Sequence, residues 1–369
     1  MSTNLLPLGI IFSILSIFYL FALLAILYGL YRLEGKKGGA TPFVSVIIAA
    51  RNEARRISFC LQSLSELNYP ESLYEVILVD DDSGDNTAEI IEKYCLANPH
   101  WQLIRITEKS EVLHGKKNAL MQGIRKARGE IIFTTDADCA VPPDWLIKMV
   151  QYFKPDVSMV LGYSPLVRHP GFLHKILEFD NLFSVIVSAA PVKLGHPFNS
   201  VGRNLAYRKN AYESSGGFLA LKEFRSGDDI HLTQRFRRLK NGRIDFCADP
   251  ETFVRTYPPG SLSEIFHQQL RKNSKTVKLG WSSLAFLSLI LCFHFLLILV
   301  PFFAGPLLSI WILSTGFKLV LEFVLLVKSA RLFDQKHLII LIPFMQIFYP
   351  CYIIVFNILG MFQKYNWKK

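Results

Sequence analysis

Two aspartates separated by one residue follow a strongly apolar stretch of the chain. The segment GEIIFTTDADC places Asp136 and Asp138 directly after a predicted buried strand. Side chains two residues apart on an extended backbone leave from the same face, so the two carboxylates can converge. A divalent cation would offset their repulsion, because Mg²⁺ and Mn²⁺ prefer oxygen ligands. The spacing favours a site for Mg²⁺ or Mn²⁺ that acts on phosphates; the alternative is that both carboxylates cap the following turn.

Other polar residues also come directly after predicted strands. The apolar runs VSVIIAA, EVILVD, WQLIRIT and EIIFTTD alternate with segments of helical periodicity. This alternation predicts a mostly parallel sheet covered by helices on both faces. Ligands collect at the carboxyl ends of such strands, so we expect acidic groups from two strand ends to face one crevice. The polar residues at those ends are Arg51, Asn52, Glu53, Asp80, Asp81, Asp82, Asp136 and Asp138.

Apolar segments flank this polar middle of the chain. The segment 5–31 is almost wholly apolar and long enough to cross a bilayer core of roughly 30 Å. No Lys or Arg precedes it, which argues against a signal peptide. The block 284–327 is broken by Pro301, which favours a hairpin of two spans, and 338–361 is a further candidate. We therefore expect one N-terminal and about three C-terminal transmembrane helices.

The charge distribution also points to a membrane. The chain carries 41 Lys and Arg against 30 Asp and Glu residues, a formal net charge of +11. Much of the excess lies beside the apolar segments, where basic residues set orientation and contact anionic lipids. We expect a membrane partner, no nucleic acid, and a middle domain that faces the cytosol from a bacterial-type inner membrane. The six cysteines form no CxxC pair and are expected to stay reduced.

Five segments together resemble the family 2 glycosyltransferases with a GT-A fold. SVIIAARNE, VILVDDDSGDNT, GKKNAL, DADC and GDDIHL stand in the order and spacing of that family, over residues 44–272. The resemblance implies a Rossmann-like domain and an inverting enzyme that uses a nucleotide-diphosphate sugar. The expected donor is a UDP-sugar. The layout is similar to the membrane-bound branch, which includes ceramide glucosyltransferase and polysaccharide synthases. The implied domains are an anchor (1–33), a cytosolic GT-A domain (34–260), an interfacial amphipathic helix (261–283) and a C-terminal transmembrane region (284–369).

The resemblance also implies a group of nucleotide-binding residues at the strand ends. Three would border the base, and either of two aspartates would contact uracil or ribose. Glu53 has an alternative role as a first-turn acid that stabilises a helix dipole. The expected cap of the next helix is Asp82 or Asp85. The implied nucleotide contacts are Ala50, Arg51, Glu53, Asp80 and Asp81.

The diphosphate and the metal are assigned to the next two motifs. Lys116 matches the lysine of the family's GK-x-x-AL segment. A lysine at a helix N-terminus opposes the helix dipole, and a diphosphate there would compensate it. A solvated Lys116 is the alternative, and Lys117 is expected to be solvated. By the resemblance Asp136 would face the ribose and the metal, with Asp138 the more direct metal ligand.

The segment SGDDIHLTQRFRR carries the implied catalytic base. By the resemblance Asp229 is the general base, and Asp228 stands where the family has glutamate. A base must lie within about 3 Å of the acceptor hydroxyl whose proton it takes. The alternative is that one of the pair caps the following helix, and Asp228 is expected to be a cap or to orient the acceptor. Arg203 and Asn204 would contact donor or acceptor, or pack in the core.

Two later segments are implied to act near the membrane. HQQLRKNSK resembles the family's QxxRW motif, so that Gln268 and Arg271 would contact the diphosphate or the acceptor. Lys272 stands where tryptophan is expected, which weakens the case for processive synthesis. A basic helix lying on the bilayer is compatible with the same residues. The segment 170–198 is too polar to span and would lie in the interface or form a core helix.

The expected function is transfer of a sugar to a lipid-linked or membrane-embedded acceptor. The nearest rival within the family is a processive polysaccharide synthase. A haloacid-dehalogenase phosphatase is a weaker alternative, because Ala140 stands where its DxDx[TV] motif needs Thr or Val. A catalytically inactive membrane scaffold is the alternative of another class.

Overall fold

The chain divides into two compact units. One comprises Gly29–Pro258, and the other combines Met1–Tyr28 with Pro259–Lys369. The first unit holds a seven-stranded sheet, and the second holds long apolar helices. The computed structural model describes residues 5–33, 39, 41–107, 110, 112–113, 115–197, 199–224, 227–240, 242–274, 281–303, 305 and 307–362.

The sheet is mixed but mostly parallel, as the sequence predicts. Its order is β3-β2-β1-β4-β7-β6-β8, and β5 pairs separately with β9. Strands β1 to β4 run parallel, β6 is parallel to β8, and β7 is antiparallel to both β4 and β6. The strands are β1 (Val44–Ala50), β2 (Tyr74–Asp80), β3 (Trp101–Arg105), β4 (Ile131–Asp136), β5 (Cys139–Ala140), β6 (Val157–Gly162), β7 (Leu205–Arg208), β8 (Arg243–Cys247) and β9 (Arg255–Thr256).

Helices cover both faces of the parallel half of the sheet. Ile57 of α2 belongs to the same buried cluster as Val46 of β1. Gly123 of α4 lies against Ile47, on the opposite face of that strand. Burial on both faces explains why β1 and β2 are continuous apolar runs rather than alternating ones. The helices are α1 (Leu6–Tyr31), α2 (Ile57–Ser65), α3 (Thr87–Ala97), α4 (Lys116–Lys126), α5 (Trp145–Val150), α6 (Phe172–Lys193), α7 (Lys209–Ser214), α8 (Asp228–Arg237), α9 (Leu262–Ser274), α10 (Trp281–Leu299), α11 (Leu308–Leu332) and α12 (Ile342–Phe362).

A buried carboxylate ties together the amino-terminal ends of three strands. Glu75 of β2 accepts hydrogen bonds from the Ser45 hydroxyl of β1 (2.7 Å) and the Arg128 backbone N–H (2.6 Å). Arg128 Nε donates to the other oxygen at 2.9 Å, and Gly129 N donates to Ser45 Oγ at 2.8 Å. These hydrogen bonds hold Arg128 and Gly129, which lead into β4, against β1 and β2. We call these four residues the amino-edge cluster.

Replacing Gly129 with alanine is expected to lower the free energy of unfolding by about 1–3 kcal/mol. An added Cβ would lie 2.4 Å from the Ser45 backbone nitrogen, and a backbone atom cannot move aside as a flexible side chain can. The thermal unfolding midpoint of the full-length protein in detergent measures this change. Gly39→Ala is the control, because an added Cβ there meets nothing within 4 Å. Equal midpoints for the two variants would contradict the expected crowding.

The polar-interrupted segment after β6 forms a core helix. Helix α6 belongs to the sheet-containing unit, and it buries Glu178 and Asp180 together with its apolar face. Near its C-terminus Lys193 Nζ lies 2.5 Å from Asp245 Oδ1 of β8. Of the two roles open for residues 170–198, the structure supports the core helix for Phe172–Lys193, and residue 198 lies outside the described residues.

The second unit contains the candidate membrane helices. Among the described residues, three helices are long and apolar enough to span a membrane: Leu6–Tyr31, Leu308–Leu332 and Lys336–Phe356. The predicted span that begins at residue 284 corresponds to α10, whose described apolar part, Ser288–Phe302, is shorter than these. A 3-10 turn that contains Pro301 follows α10, because proline cannot continue the helical hydrogen bonding.

A buried lysine pairs with a partly buried glutamate within this apolar unit. Lys318 and Glu322 are one turn apart on α11, with 2.7 Å between Nζ and Oε2. The Tyr19 hydroxyl of α1 donates to Glu322 Oε1 at 2.5 Å, and the ring of His294 lies 5.1 Å from the Tyr19 ring. The network therefore links helices that are distant in sequence. The i, i+4 spacing of Lys318 and Glu322 is visible in the sequence and predicts such a pair.

Candidate active site

The carboxyl ends of the central strands gather the predicted acidic residues at one edge. Ala50 of β1 pairs with Asp80 of β2, and Ala49 pairs with Asp136 of β4. Because neighbouring strands lie about 4.8 Å apart, the backbones at Asp80 and Asp136 are roughly 10 Å apart. Acidic groups from two strand ends thus share one edge of the sheet.

Two loops at this edge are joined by hydrogen bonds. Asn52 accepts from Gly84 N through its side-chain oxygen at 2.8 Å, and its own backbone N–H donates to Ser83 Oγ at 3.0 Å. Ala54 N donates to Asp85 Oδ2 at 3.2 Å. Asn52 has a φ of 55°, a left-handed conformation that asparagine tolerates better than most residues. Asn52 had no predicted role, although an asparagine directly after a strand is a signal for such a turn.

Buried carboxylates lie beside these loops. Asp81 lies 3.6 Å from Arg51 Nη1; burial raises the pKa of Asp81, and the arginine opposes that rise. Asp80 Oδ2 accepts from Ser83 N at 3.3 Å. Asp80 Oδ1 is buried and has no hydrogen-bond partner among the described residues. An unpaired buried acceptor is costly, so a ligand N–H or hydroxyl would be stabilised there.

The alternative roles of Glu53 and Asp85 are decided by where the helices begin. Helix α2 starts at Ile57, so Glu53 is not in its first turn, and the helix-dipole role is wrong. The N-cap of α3 is Asn86, so the prediction that Asp82 or Asp85 caps this helix is wrong. Asp85 lies one residue before the cap, and its Oδ1 accepts from Thr87 N at 3.0 Å. The Thr87 hydroxyl also donates to Asp85, and this bond lowers the pKa of the Asp85 carboxyl.

Lys116 links the strand edge to the segment that carries the implied base. It is the first residue of α4, and its ammonium donates to Asp136 Oδ1. Burial acts to lower the pKa of Lys116, but Asp136, Asp228 and Asp229 together raise it above its ordinary value. The ammonium therefore lies within electrostatic reach of acidic groups from β4 and from α8. A fully solvated Lys116 is not what the structure shows.

The paired aspartates offer a suitable donor set for a hard cation. Ligand atoms of Asp136, Asp138 and Cys139 lie within 4.8 Å of one another. Burial and the two carboxylates raise the pKa of the Cys139 thiol well above its ordinary value, so the thiol stays protonated and is a poor ligand. The two carboxylates fit Mg²⁺ or Mn²⁺, which take their remaining ligands from substrate phosphates and water. Arg56 lies 3.8 Å from Asp138, so that this carboxylate also has a cationic neighbour in the protein.

Helix α8 presents the two further aspartates in its first turn. Its N-cap is Gly227, in a left-handed conformation with a φ of 83°, and Asp228 is the first residue of the helix rather than its cap. The capping role considered for Asp228 is therefore wrong. Asp229 Oδ2 accepts a hydrogen bond from Gly202 N at 3.0 Å, which fixes the orientation of the carboxylate.

Lys117 is buried, and the expectation that it is solvated is wrong. Its ammonium donates to Leu221 O at 3.0 Å and to Phe224 O, and it lies 3.8 Å from Asp228 Oδ1. The periodicity of α4 does not reveal this burial, because the acceptors come from residues about a hundred positions later in the chain.

The remaining candidates separate into core and membrane-unit residues. Asn204 is buried and fully bonded, donating to Tyr163 O and Thr252 O and accepting from the Trp145 indole, so it packs in the core. Gln268 and Arg271 lie on α9, in the unit that contains the apolar helices. Their implied contact with diphosphate or acceptor remains a prediction.

Comparison with known proteins identifies the family of this chain. Residues 45–216 match the family described as glycosyl transferase family 2, and residues 131–359 match glycosyl transferase family group 2. The chain is 31% identical over 199 residues to a β-monoglucosyldiacylglycerol synthase of Trichormus variabilis, which covers 53% of this chain and 42% of that protein. It is 33% identical over 147 residues to a poly-β-1,6-N-acetyl-D-glucosamine synthase of Staphylococcus epidermidis, covering 39% and 34%. The chain thus spans less than half the length of these two relatives.

A solved structure shares the fold. The mannosyltransferase from Pyrobaculum calidifontis, in complex with GDP-Man and Mn²⁺, is similar with a TM-score of 0.56 and 21% identity. The match covers 92% of this chain and 99% of that one. Together with the family matches, which extend over more than half of the sequence, this likeness confirms the predicted GT-A fold. The chain belongs to the family 2 glycosyltransferases.

Proposed function

We propose that this protein is an inverting glycosyltransferase that moves one sugar from a nucleotide-diphosphate donor to a lipid-linked or membrane-embedded acceptor. The expected donor is a UDP-sugar. One observation carries the proposal. The ammonium of Lys116 donates to Asp136, and that of the adjacent Lys117 lies 3.8 Å from Asp228, so the implied donor site and the segment that carries the implied base meet at the first turn of α4.

The nucleotide would bind at the joined loops after β1 and β2. Ala50, Arg51 and Glu53 border this region, and the unpaired Asp80 Oδ1 can accept a hydrogen bond from a base N–H or a ribose hydroxyl. Asp81 is held by Arg51 beside it. Because the loops are braced by hydrogen bonds, they would lose little conformational entropy when the donor binds.

The diphosphate would lie between Lys116 and the paired aspartates. A divalent cation held by Asp136 and Asp138 would neutralise the charge that develops on the leaving diphosphate. Lys116, released from Asp136 by the incoming phosphates, would supply a second positive charge at the start of α4. The likeness in fold to a mannosyltransferase that was solved with GDP-Man and Mn²⁺ supports a donor site that uses a divalent cation.

Asp229 would act on the acceptor. Its carboxylate takes the proton of the acceptor hydroxyl while the hydroxyl oxygen attacks the anomeric carbon from the side opposite the diphosphate. The new bond forms on that side as the bond to the diphosphate breaks, which inverts the anomeric configuration. The hydrogen bond from Gly202 N keeps the carboxylate in one orientation before the acceptor arrives.

The candidate membrane helices support a membrane-embedded acceptor. Because three helices among the described residues are long enough to span, and basic residues cluster beside the apolar segments in the sequence, we propose a cytosolic active site near the inner leaflet. Gln268 and Arg271 would contact the diphosphate or the acceptor at that surface. The similarity to a glucosyldiacylglycerol synthase supports a lipid acceptor, and the similarity to a polysaccharide synthase keeps polymer synthesis as the rival. Analysis of intact products separates the two: a single addition supports the proposal, and a ladder supports the rival.

Calorimetric titration of the full-length protein with UDP and with GDP, each with and without Mn²⁺, tests the site. UDP is expected to bind more tightly than GDP, and Mn²⁺ is expected to strengthen binding. Asp138→Asn is expected to lower the gain in UDP affinity that Mn²⁺ provides by at least about 10–100-fold. Replacing residues that only hydrogen-bond to a metal ligand already causes a loss of this size. Asp156→Asn, in an exposed ion pair with Arg243, is the matched control. Equal nucleotide affinities with and without Mn²⁺ in the unmodified protein would overturn the proposed metal site.

A further inference from the structure

A buried lysine that the proposed reaction does not use lies directly beside Lys116. The side chain of Lys117 is 6% exposed. An ammonium carries three N–H donors, and burial is tolerable only when they are satisfied. Lys117 has three oxygen neighbours: the backbone carbonyls of Leu221 and Phe224, and Asp228 Oδ1 at 3.8 Å. All three precede or begin α8.

The two lysines connect opposite sides of the site. Successive residues of a helix point about 100° apart, so adjacent lysines at the start of α4 can reach different neighbours. Lys116 reaches Asp136 at the end of β4, and Lys117 reaches the residues that lead into α8. The first turn of α4 therefore joins the donor side of the site to the helix that carries Asp229.

The contacts of Lys117 indicate that it orients neighbouring groups and does not simply fill space. An apolar residue of similar length would fill the same volume without the cost of desolvating a charge. An ammonium instead draws two carbonyls and one carboxylate towards a single point. Asp229 directly follows Asp228, so the position of this anchor sets where the carboxylate of Asp229 lies relative to Gly202 N.

We propose that Lys117 is a positioning residue for the general base. It holds Leu221, Phe224 and Asp228 to the first turn of α4, and by doing so it sets the distance between Asp229 and the donor site. This inference rests on the proposed function, because it requires that Asp229 acts on the acceptor. A displacement of about 1 Å in a catalytic group can cost about 100-fold in rate, which is the size of effect expected.

The test uses the full-length protein in lipid vesicles made from a total bacterial lipid extract. Turnover is measured as release of nucleoside diphosphate from UDP-glucose, UDP-N-acetylglucosamine and GDP-mannose, and the donor with the fastest turnover is used afterwards. Turnover is divided by the number of nucleoside-diphosphate binding sites found by titration, so that misfolded protein does not count. Lys117→Met is expected to lower kcat per site by about 100-fold while the dissociation constant of the nucleoside diphosphate changes by less than about threefold.

Two further variants test whether the positive charge at this position is what matters. Lys117→Arg should recover part of the rate, because a guanidinium can donate to the same carbonyls. Lys148→Met, which removes an ion pair with Glu251 elsewhere in the catalytic unit, should match the unmodified protein. If Lys117→Met lowers only the number of binding sites and leaves the rate per site unchanged, the residue is purely structural and the inference is overturned.

A double variant distinguishes failure of this inference from failure of the proposed function. If Lys117 acts through Asp229, adding Lys117→Met to Asp229→Asn should cause little further loss, because residues that act as a unit are not additive. An equal loss in both backgrounds would overturn the inference and leave Asp229 as the base. Full turnover in Asp229→Asn, or no turnover by the unmodified protein with any of the three donors, would overturn the proposed function and this inference with it.

Discussion

Asp229→Asn is expected to lower the rate of sugar transfer by roughly 10²–10⁴-fold, the range that general base catalysis contributes. Asparagine has nearly the same shape, and its amide oxygen can accept the hydrogen bond that Gly202 N now donates at 3.0 Å. It cannot take the proton of an acceptor hydroxyl. The fold and the nucleotide affinity should therefore survive, and kcat should fall while KM for the donor stays close to its original value.

Steady-state turnover with a fixed acceptor, beside calorimetric titration with UDP, measures both quantities. Glu223→Gln is the matched control, since it removes one carboxylate charge from an exposed position six residues earlier. A rate within about twofold of the unmodified protein in Asp229→Asn would mean that another group takes the proton. A simultaneous loss of UDP binding would mean that the carboxylate supports the donor site instead.

Lys318→Met is expected to lower the free energy of unfolding by about 3–5 kcal/mol, the cost of breaking a buried ion pair from one side. Lys318 is 1% exposed, and its removal would leave the Glu322 carboxylate charged and without this cation, while the neutral Tyr19 hydroxyl still donates to it. The double variant Lys318→Met with Glu322→Gln should recover most of the loss, because a neutral amide still accepts from Tyr19 and leaves no unpaired charge.

The thermal unfolding midpoint in detergent is the measurement for this series. Lys336→Met is the control, because this lysine is exposed in the 3-10 turn that follows α11. If the single variant melts like the control, the charged pair contributes nothing to the stability of the apolar unit. If the double variant is no better than the single one, the loss comes from packing rather than from the unpaired charge.

The central half of the sheet was predictable from the sequence because it depends on local composition. VSVIIAA and EVILVD are continuous apolar runs, and a run of that kind is stable only where both faces of a strand are covered. The positions of Asp80 and Asp136 at strand ends followed directly. The reversed direction of β7 could not be predicted, because it depends on pairing with β4, about seventy residues earlier in the chain.

The candidate site was predictable to the level of residue groups but not of individual contacts. The order of the motifs brought Asp136 and Asp229 into one prediction, and Lys116 donates to the first of them. Which of two adjacent lysines is solvated depends on Leu221 and Phe224, whose carbonyls approach α4 only in the folded chain. The start of α2 at Ile57, rather than at Glu53, depends in a similar way on hydrogen bonds to Asp85 in the loop after β2 and to Thr87 at the start of α3.

The amino-edge cluster and the proposed donor site lie at opposite ends of the same strands. Glu75 fastens one end through a short, fully bonded set of contacts with Ser45, Arg128 and Gly129. These contacts therefore hold the strands together at their amino-terminal ends, away from the proposed donor site. Loops at the other end can exchange residues without loosening the strands beneath them, so one scaffold of this kind can acquire new donor and acceptor preferences by mutation while it continues to fold.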